Sequence, residues 1–283
     1  MVLNEQEKEQ LIAKIMDKYE SLFTEIEKCF KGRPEFERQE EALFWEQFGF
    51  ECVARTLLHF GINFQIEETD IRPVVQDVTG KEVEIDFRMR INNQTVYFGV
   101  THFYGRPKDL GKDMVKVDIP AKDIKYGEPG KMLPVTGTGR IREVRSQKEY
   151  LQRRLVVRTA REGLHKFNND YVLIAFPKLD LGFGSGLDAI PTDFEFDSGS
   201  SYYYKEKGFT ALILIGHLVE KTKKESGIKE TGLIIRTKTF KSSTTSMQDI
   251  LRRINRLEID ITNVIQSVQQ LMRSGGWGKP KPL

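Results

Sequence analysis

The chemistry-bearing stretch begins at Glu84-Ile85-Asp86 and continues through Phe87-Arg88-Met89-Arg90-Ile91, Asn92-Asn93 and a second run from Gln94 to His102. Apolar and polar residues alternate on both sides of the Asn pair, which predicts two strands joined by a tight turn. Asp86 lies between Ile85 and Phe87. A carboxylate in such a strand is costly if buried without a partner, so Asp86 is the first candidate for a functional acid. Alternate strand residues share a face, which puts Gly99 and Thr101 on one side and Phe98, Val100 and His102 on the other. A carboxylate at position 99 would lie close to Asp86 and share a divalent cation with it. Mg²⁺ takes hard oxygen ligands and keeps several waters; held that way it polarises a phosphate and activates water. Position 99 is glycine, however, and Thr101 stands where a lysine would offset developing charge.

Charge is distributed unevenly. The 283 residues carry a net charge of +3, yet Tyr104 to Phe167 holds 16 Lys/Arg against 8 Asp/Glu, and the remainder 28 against 33. Concentrated positive charge points to a polyanionic partner, with DNA the leading expectation. Within this region Arg154, Arg158, Arg161 and His165 are spaced four, three and four, which makes one stripe on a helix. Such donors could track phosphates and fix register without reading sequence. Lys148 and Gln152 lie near the turn of that helix that would face the hairpin. Lys108, Lys112, Lys116, Lys122 and Lys125 fit a clamp that orders on binding.

The elements that must position these groups are a series of helices and strands. Steps of three and four through Ile12, Ile15, Tyr19, Leu22, Ile26 and Cys29 predict a helix over about 7–30, ended by Gly32-Arg33-Pro34. A second helix is expected over about 37–60, a short strand over 63–67, and a long helix over about 141–167. Residues 171–176, 209–215 and 232–237 are continuous apolar runs, as expected of strands in a mixed sheet covered on both faces. Gly182-Phe183-Gly184-Ser185-Gly186 and Gly137-Thr138-Gly139 read as loops. A last helix is expected over about 246–272, where Ile250, Ile254, Leu257, Ile261, Val264, Val268 and Leu271 follow heptad spacing. That seam fits either the first helix of the same chain or a second copy in a homodimer. The organisation expected is an N-terminal helix (1–36), an α/β core (37–240) with a basic loop at 104–140, and a C-terminal helix and tail (241–283).

Composition excludes some classes. No run approaches the roughly 18 apolar residues of a membrane span, and no apolar signal-peptide core follows the N-terminus. Cys29 and Cys52 are the two cysteines, too few for a disulfide framework or a cysteine metal cluster. A soluble, cytoplasmic protein is expected.

Phe44-Trp45-Glu46 on a helix, Ile85-Asp86-Phe87-Arg88, and Val96-Tyr97-Phe98-Gly99-Val100-Thr101 together resemble the PD-(D/E)xK nuclease superfamily, the restriction-endonuclease-like fold. The resemblance spans about Phe44 to Ile215 and rests on the order of elements more than on any one residue. It implies an α/β fold with a mixed sheet flanked by helices, with Asp86 as the metal-binding acid, Mg²⁺ as cofactor and Glu46 as the helix acid. Gly99 and Thr101 fall on the acid and lysine positions of the acid-x-Lys triplet, so the motif is degenerate. Displaced groups could come from Glu84, which shares Asp86's face, or from His102, Glu143, Glu149, Gln152 or Lys148. Two readings stay open. One is a Mg²⁺-dependent endonuclease of restriction or repair, with Asp86, Glu46 and Glu84 catalytic. The other is an inactive nucleic-acid-binding or dimeric interaction protein that retains the fold.

Overall fold

Uninterrupted apolar strands form the middle of the sheet because both of its faces are covered. The computed structural model describes residues 4–104, 147–159, 165–180, 185–188, 190–191, 194–196, 204, 208–219, 231–240, 245–254 and 258–259. Its helices are α1 (Glu5–Phe30), α2 (Phe36–His59), α3 (Gln147–Thr159) and α4 (Thr245–Ile254). Its strands are β1 (Phe64–Gln65), β2 (Val74–Gln76), β3 (Glu82–Glu84), β4 (Phe87–Ile91), β5 (Gln94–Tyr104), β6 (Asp170–Asp180), β7 (Ser185–Leu187), β8 (Ala211–Val219), β9 (Thr231–Thr239) and β10 (Glu258–Ile259).

The large sheet runs β1-β4-β5-β6-β8-β9-β10, with β7 added to the end of β6, and β2 pairs with β3 in a separate ribbon. β5, β6 and β8 are parallel; the flanking pairs are antiparallel. The architecture is therefore mixed α/β. Alternation sorts the strand side chains into two cores. Phe98, Val172, Ile174, Phe176, Ile213 and Ile215 face α1, α2 and α4. Leu173, Ala175, Leu212 and Leu214 face α3 through Leu151 and Leu155. α1 contributes Ile12, Ile15, Tyr19 and Ile26 to the first core, so its stripe packs within the chain.

The hairpin forms as its residues dictate. Asn92 and Asn93 both adopt left-handed backbone, with φ of 48° and 66°, the conformation a two-residue turn needs and asparagine tolerates. This fixes the register in which Phe87 faces Phe98 and Ile91 faces Gln94. Phe87 and Phe98 stack at 4.7 Å on the α2 side.

Three expected elements differ. The described part of the basic-region helix ends at Thr159, and His165 to Phe167 are not helical. The carbonyl of Lys166 instead accepts from the Val78 amide at 2.8 Å, tying this segment to the turn between β2 and β3. The last helix ends at Ile254; Glu258 and Ile259 then pair with Ile234 and Leu233 of β9, where the sheet edge offers backbone partners to an extended chain. The heptad positions past Ile254 lie outside the described residues, as do the loop lysines and residues 105–146. Ser185 and Gly186, read as part of a glycine loop, belong to β7, which pairs with β6. No helix among the described residues is long and apolar enough to cross a membrane.

The turn supplies a direct check. Asn93→Val should cost about 1–2 kcal/mol, because a β-branched residue resists left-handed backbone. Asn93→Gly should lie within about 0.5 kcal/mol of the parent. Urea unfolding of the three proteins measures both.

Candidate functional site

β4 reaches only as far as Phe87, opposite Phe98. Beyond that point, among the described residues, β5 has a strand neighbour on its β6 side alone. The open edge from Gly99 to Tyr104 is lined by two chemically opposite sets of side chains.

The acidic set lies where β4 begins. Asp86 precedes the strand by one residue, and its carboxylate accepts a short hydrogen bond from the Val100 amide. It thereby caps the first edge position that β4 leaves behind. Continuing the register by one residue puts Asp86 opposite Gly99, as the hairpin reading expected. Glu46, on α2, is buried at 6% exposure. Both of its oxygens accept from Arg72, at 2.8 Å from Nε and 2.7 Å from Nη2. Burial pushes the Glu46 carboxyl above its ordinary range against the pull of Arg72, and the Glu84 charge adds to the rise. Glu84 itself is exposed on β3. Arg72 also donates its backbone amide to the Asp86 carbonyl at 2.9 Å.

The triplet positions are filled from neighbouring elements. A Cβ at Gly99 would lie 2.6 Å from the Tyr171 hydroxyl. Tyr171 is held by stacking on Phe209 at 5.0 Å and an edge contact to Phe167 at 5.1 Å. The hydroxyl therefore occupies the space an acid's side chain would need. Thr101 is buried, and its Oγ1 accepts from Arg158 Nε at 2.9 Å. A cation thus reaches the lysine position, but from α3.

The basic set lies at the C-terminal ends of β5 and β6. A cleft of about 500 Å³ runs between the first half of α2 and α3. Arg38, Arg154, Arg158 and Lys178 line it, and no carboxylate is among its described lining residues. Behind its wall, Glu41 accepts from Lys178 Nζ at 2.6 Å and lies 3.6 Å from His102 Nε2. Burial acts to raise the Glu41 carboxyl, but hydrogen bonds and charge from His102 and Lys178 outweigh it and hold the group at about 2. His102 stacks on Trp45 at 5.8 Å. Burial lowers its pKa, Lys178 and Arg158 lower it further, and Glu41 opposes them.

The remaining candidates are dispersed. Arg154 is exposed and lies over the Tyr150 ring. Gln152 donates to the Glu195 carbonyl. His165 does not continue the arginine stripe; its Nδ1 pairs with Asp77 Oδ2 at 2.8 Å. Arg161, the Lys148 side chain, Glu143 and the Glu149 side chain lie outside the described residues. The sequence reading missed Arg72, Arg38, Glu41, Tyr171 and Lys178. Arg72 precedes Pro73, which marks a loop in the sequence, and the others act through contacts more than 60 residues apart or at an element end.

The resemblance implies Mg²⁺, and the side chains can be tested for it. The two-acid site that the resemblance implies needs two carboxylates with oxygens turned to one ion, the rest of the shell being water or phosphate oxygen. Glu46 gives both oxygens to Arg72, position 99 offers none, and Tyr171 fills its space. No group of three or more His, Cys, Asp or Glu among the described residues could hold a metal ion. The arrangement does not fit the ion. No protein-family model matches the chain, and comparisons with curated proteins and with solved structures give no match.

Two measurements follow. Gly99→Ala should destabilise by about 1–3 kcal/mol through overpacking, and Tyr171→Phe should relieve part of that cost in a double-mutant cycle. Glu41 is depressed in the fold, so its contribution is complete above its ordinary value of 4.5 and is lost as pH falls towards about 2. Glu41→Gln should therefore lower stability at neutral pH by on the order of 2 kcal/mol and flatten the loss of stability across that acid window. Urea midpoints measured as a function of pH show both effects.

Proposed function

We propose that this chain has a restriction-endonuclease-like fold and binds DNA through the cleft between α2 and α3, holding the phosphate backbone without hydrolysing it. The observation that carries this reading is the basic lining, Arg38, Arg154, Arg158 and Lys178, with no carboxylate among the described lining residues. Such a surface attracts a polyanion by counterion release and needs no base contacts to do so. Its location adds support, since open α/β sheets bind ligands beyond the carboxyl ends of their strands. The lysine-rich segment also stands in the sequence between β5, which ends at Tyr104, and α3, which begins at Gln147. Arg158 would contact phosphate while anchored on Thr101, and Arg154 from the exposed face one turn away.

A second reading, Mg²⁺-dependent endonuclease action with Asp86, Glu46 and Glu84 as its acids, is favoured by one feature. Asp86 stands opposite Gly99, in the position the superfamily resemblance gives to the metal-binding acid. Under the first reading Asp86 is an edge cap and Glu46 an ion-pair partner, so neither contributes to catalysis.

Fluorescence anisotropy with a labelled duplex tests the proposal. Binding should weaken steeply with salt. Arg154→Ala and Arg158→Ala should each lower affinity whatever the duplex sequence and reduce the log–log salt slope by about 0.9 per lost phosphate contact. Asp86→Ala, if folded, should bind like the parent. Affinity that is insensitive to salt and to both arginine substitutions would remove the cleft from the account.

A further inference from the structure

Counterion release accounts for the arginines of the cleft but gives no part to the apolar groups set among them. On α3, Arg154, Val157 and Arg158 stand at i, i+3 and i+4 and share one helix face. Leu151 and Leu155 carry the core contacts of that helix, and Val157 is left 46% exposed. A lone exposed valine needs no explanation, but this one lines a cleft that also has an aromatic ring in its lining.

The ring is that of Tyr104, at the end of β5. Parallel register sets Tyr104 beside Lys178 of β6, and the Lys178 ammonium lies 4.6 Å from the Tyr104 ring centroid. That ammonium is buried and fixed by Glu41 at 2.6 Å, so it holds the ring in place. Alternation along β5 puts Tyr104 on the face of His102, which stacks on Trp45 of α2. Tyr104 therefore belongs to the α2 wall with Arg38, and Val157 to the α3 wall with Arg154 and Arg158. From these two walls we infer that the cleft takes one unpaired nucleotide of a DNA strand, its base against Tyr104 and Val157 and its phosphates on the arginines.

Size and chemistry agree on this occupant. The cleft holds about 500 Å³, within the roughly 300–1,000 Å³ of sites that enclose a compact ligand. An aromatic ring among cations is the combination that holds single strands, since rings stack on bases while the cations follow the backbone. A base in an intact duplex shows no face to such a ring; it must first be turned out of the stack, at a cost. An unpaired nucleotide shows its face without that cost. A closed duplex is then held by the cations alone, and an unpaired stretch gains the stacking in addition. This preference rests on DNA binding at the cleft.

Fluorescence anisotropy on the full chain tests it with three labelled DNAs: a blunt duplex, the same duplex with a short gap in one strand, and the gapped duplex with abasic residues opposite the gap. The abasic form keeps the unpaired backbone and its flexibility but removes the bases. The parent should bind the gapped duplex about tenfold more tightly than the blunt one, and the abasic gap should return to the blunt affinity. Tyr104→Ala should bring the gapped-to-blunt ratio close to one, whereas Tyr104→Phe, which keeps the ring, should preserve it. Val157→Ser, on an exposed helix face, should lower the same ratio and serves if Tyr104→Ala does not fold. Equal affinity for all three DNAs, with the dependence on Arg154 and Arg158 intact, would overturn the inference and leave a cleft that holds backbone alone. So would a preference for the gap that survives abasic substitution, or one that persists in both Tyr104→Ala and Val157→Ser. Absence of salt-sensitive binding to any of the three would remove DNA binding at the cleft as well.

Discussion

The buried pair of Glu46 and Arg72 is the constraint from which the arrangement around β5 follows. Removing two charges from water costs several kcal/mol per ion, and only good geometry with further hydrogen bonds offsets it. Here the geometry is bidentate, and the arginine backbone is fixed through Asp86. α2 is thereby tied to the entry of the hairpin. That tie sets how Trp45 and Phe48 stack on Phe176, at 5.1 Å and 5.0 Å, and brings His102 beneath the Trp45 ring. Breaking one partner would leave an uncompensated buried charge, which is more damaging than replacing both.

The open edge of β5 then divides into two ends of opposite electrostatic character. At the Asp86 end two carboxylates have a role in the fold: Asp86 caps the Val100 amide and Glu46 holds Arg72. At the Tyr104 end the arrangement reverses. Glu41 neutralises part of Lys178 and sits against His102, while the arginines of α2 and α3 turn into the cleft. The His102 imidazole is pushed towards its neutral form by burial and by Lys178 and Arg158. Arg38, Arg154, Arg158 and Lys178, rather than the His102 imidazole, are thus the cationic side chains of the cleft lining.

Local signals were legible in the sequence because they depend on neighbours in the chain. The Asn92-Asn93 turn, the alternation that separates Gly99 and Thr101 from Phe98, Val100 and His102, and the stripe of α1 all follow from period and turn chemistry. The partners of the candidate residues were not legible. Tyr171 meets Gly99 because parallel pairing of β5 with β6 sets Tyr171 beside Tyr97, two residues away. Arg158 meets Thr101 across a 57-residue separation. Arg72 looked like a loop residue before proline, and only the turn geometry aims it at Glu46. Helix ends were the least readable. Periodicity ran on through His165 and past Ile254, whereas tertiary hydrogen bonding to Val78 and β-pairing with β9 decided the conformation there.

The central claim is that the basic cleft holds DNA and the acid cluster does not cut it. Incubating the parent protein with supercoiled plasmid, in Mg²⁺ and in EDTA, tests this most directly when binding and cleavage are read from the same samples by gel shift and by gel after protein removal. The account predicts a retarded plasmid in both buffers and intact supercoiled DNA once protein is removed. Mg²⁺-dependent nicking or linearisation that disappears in Asp86→Ala would contradict it.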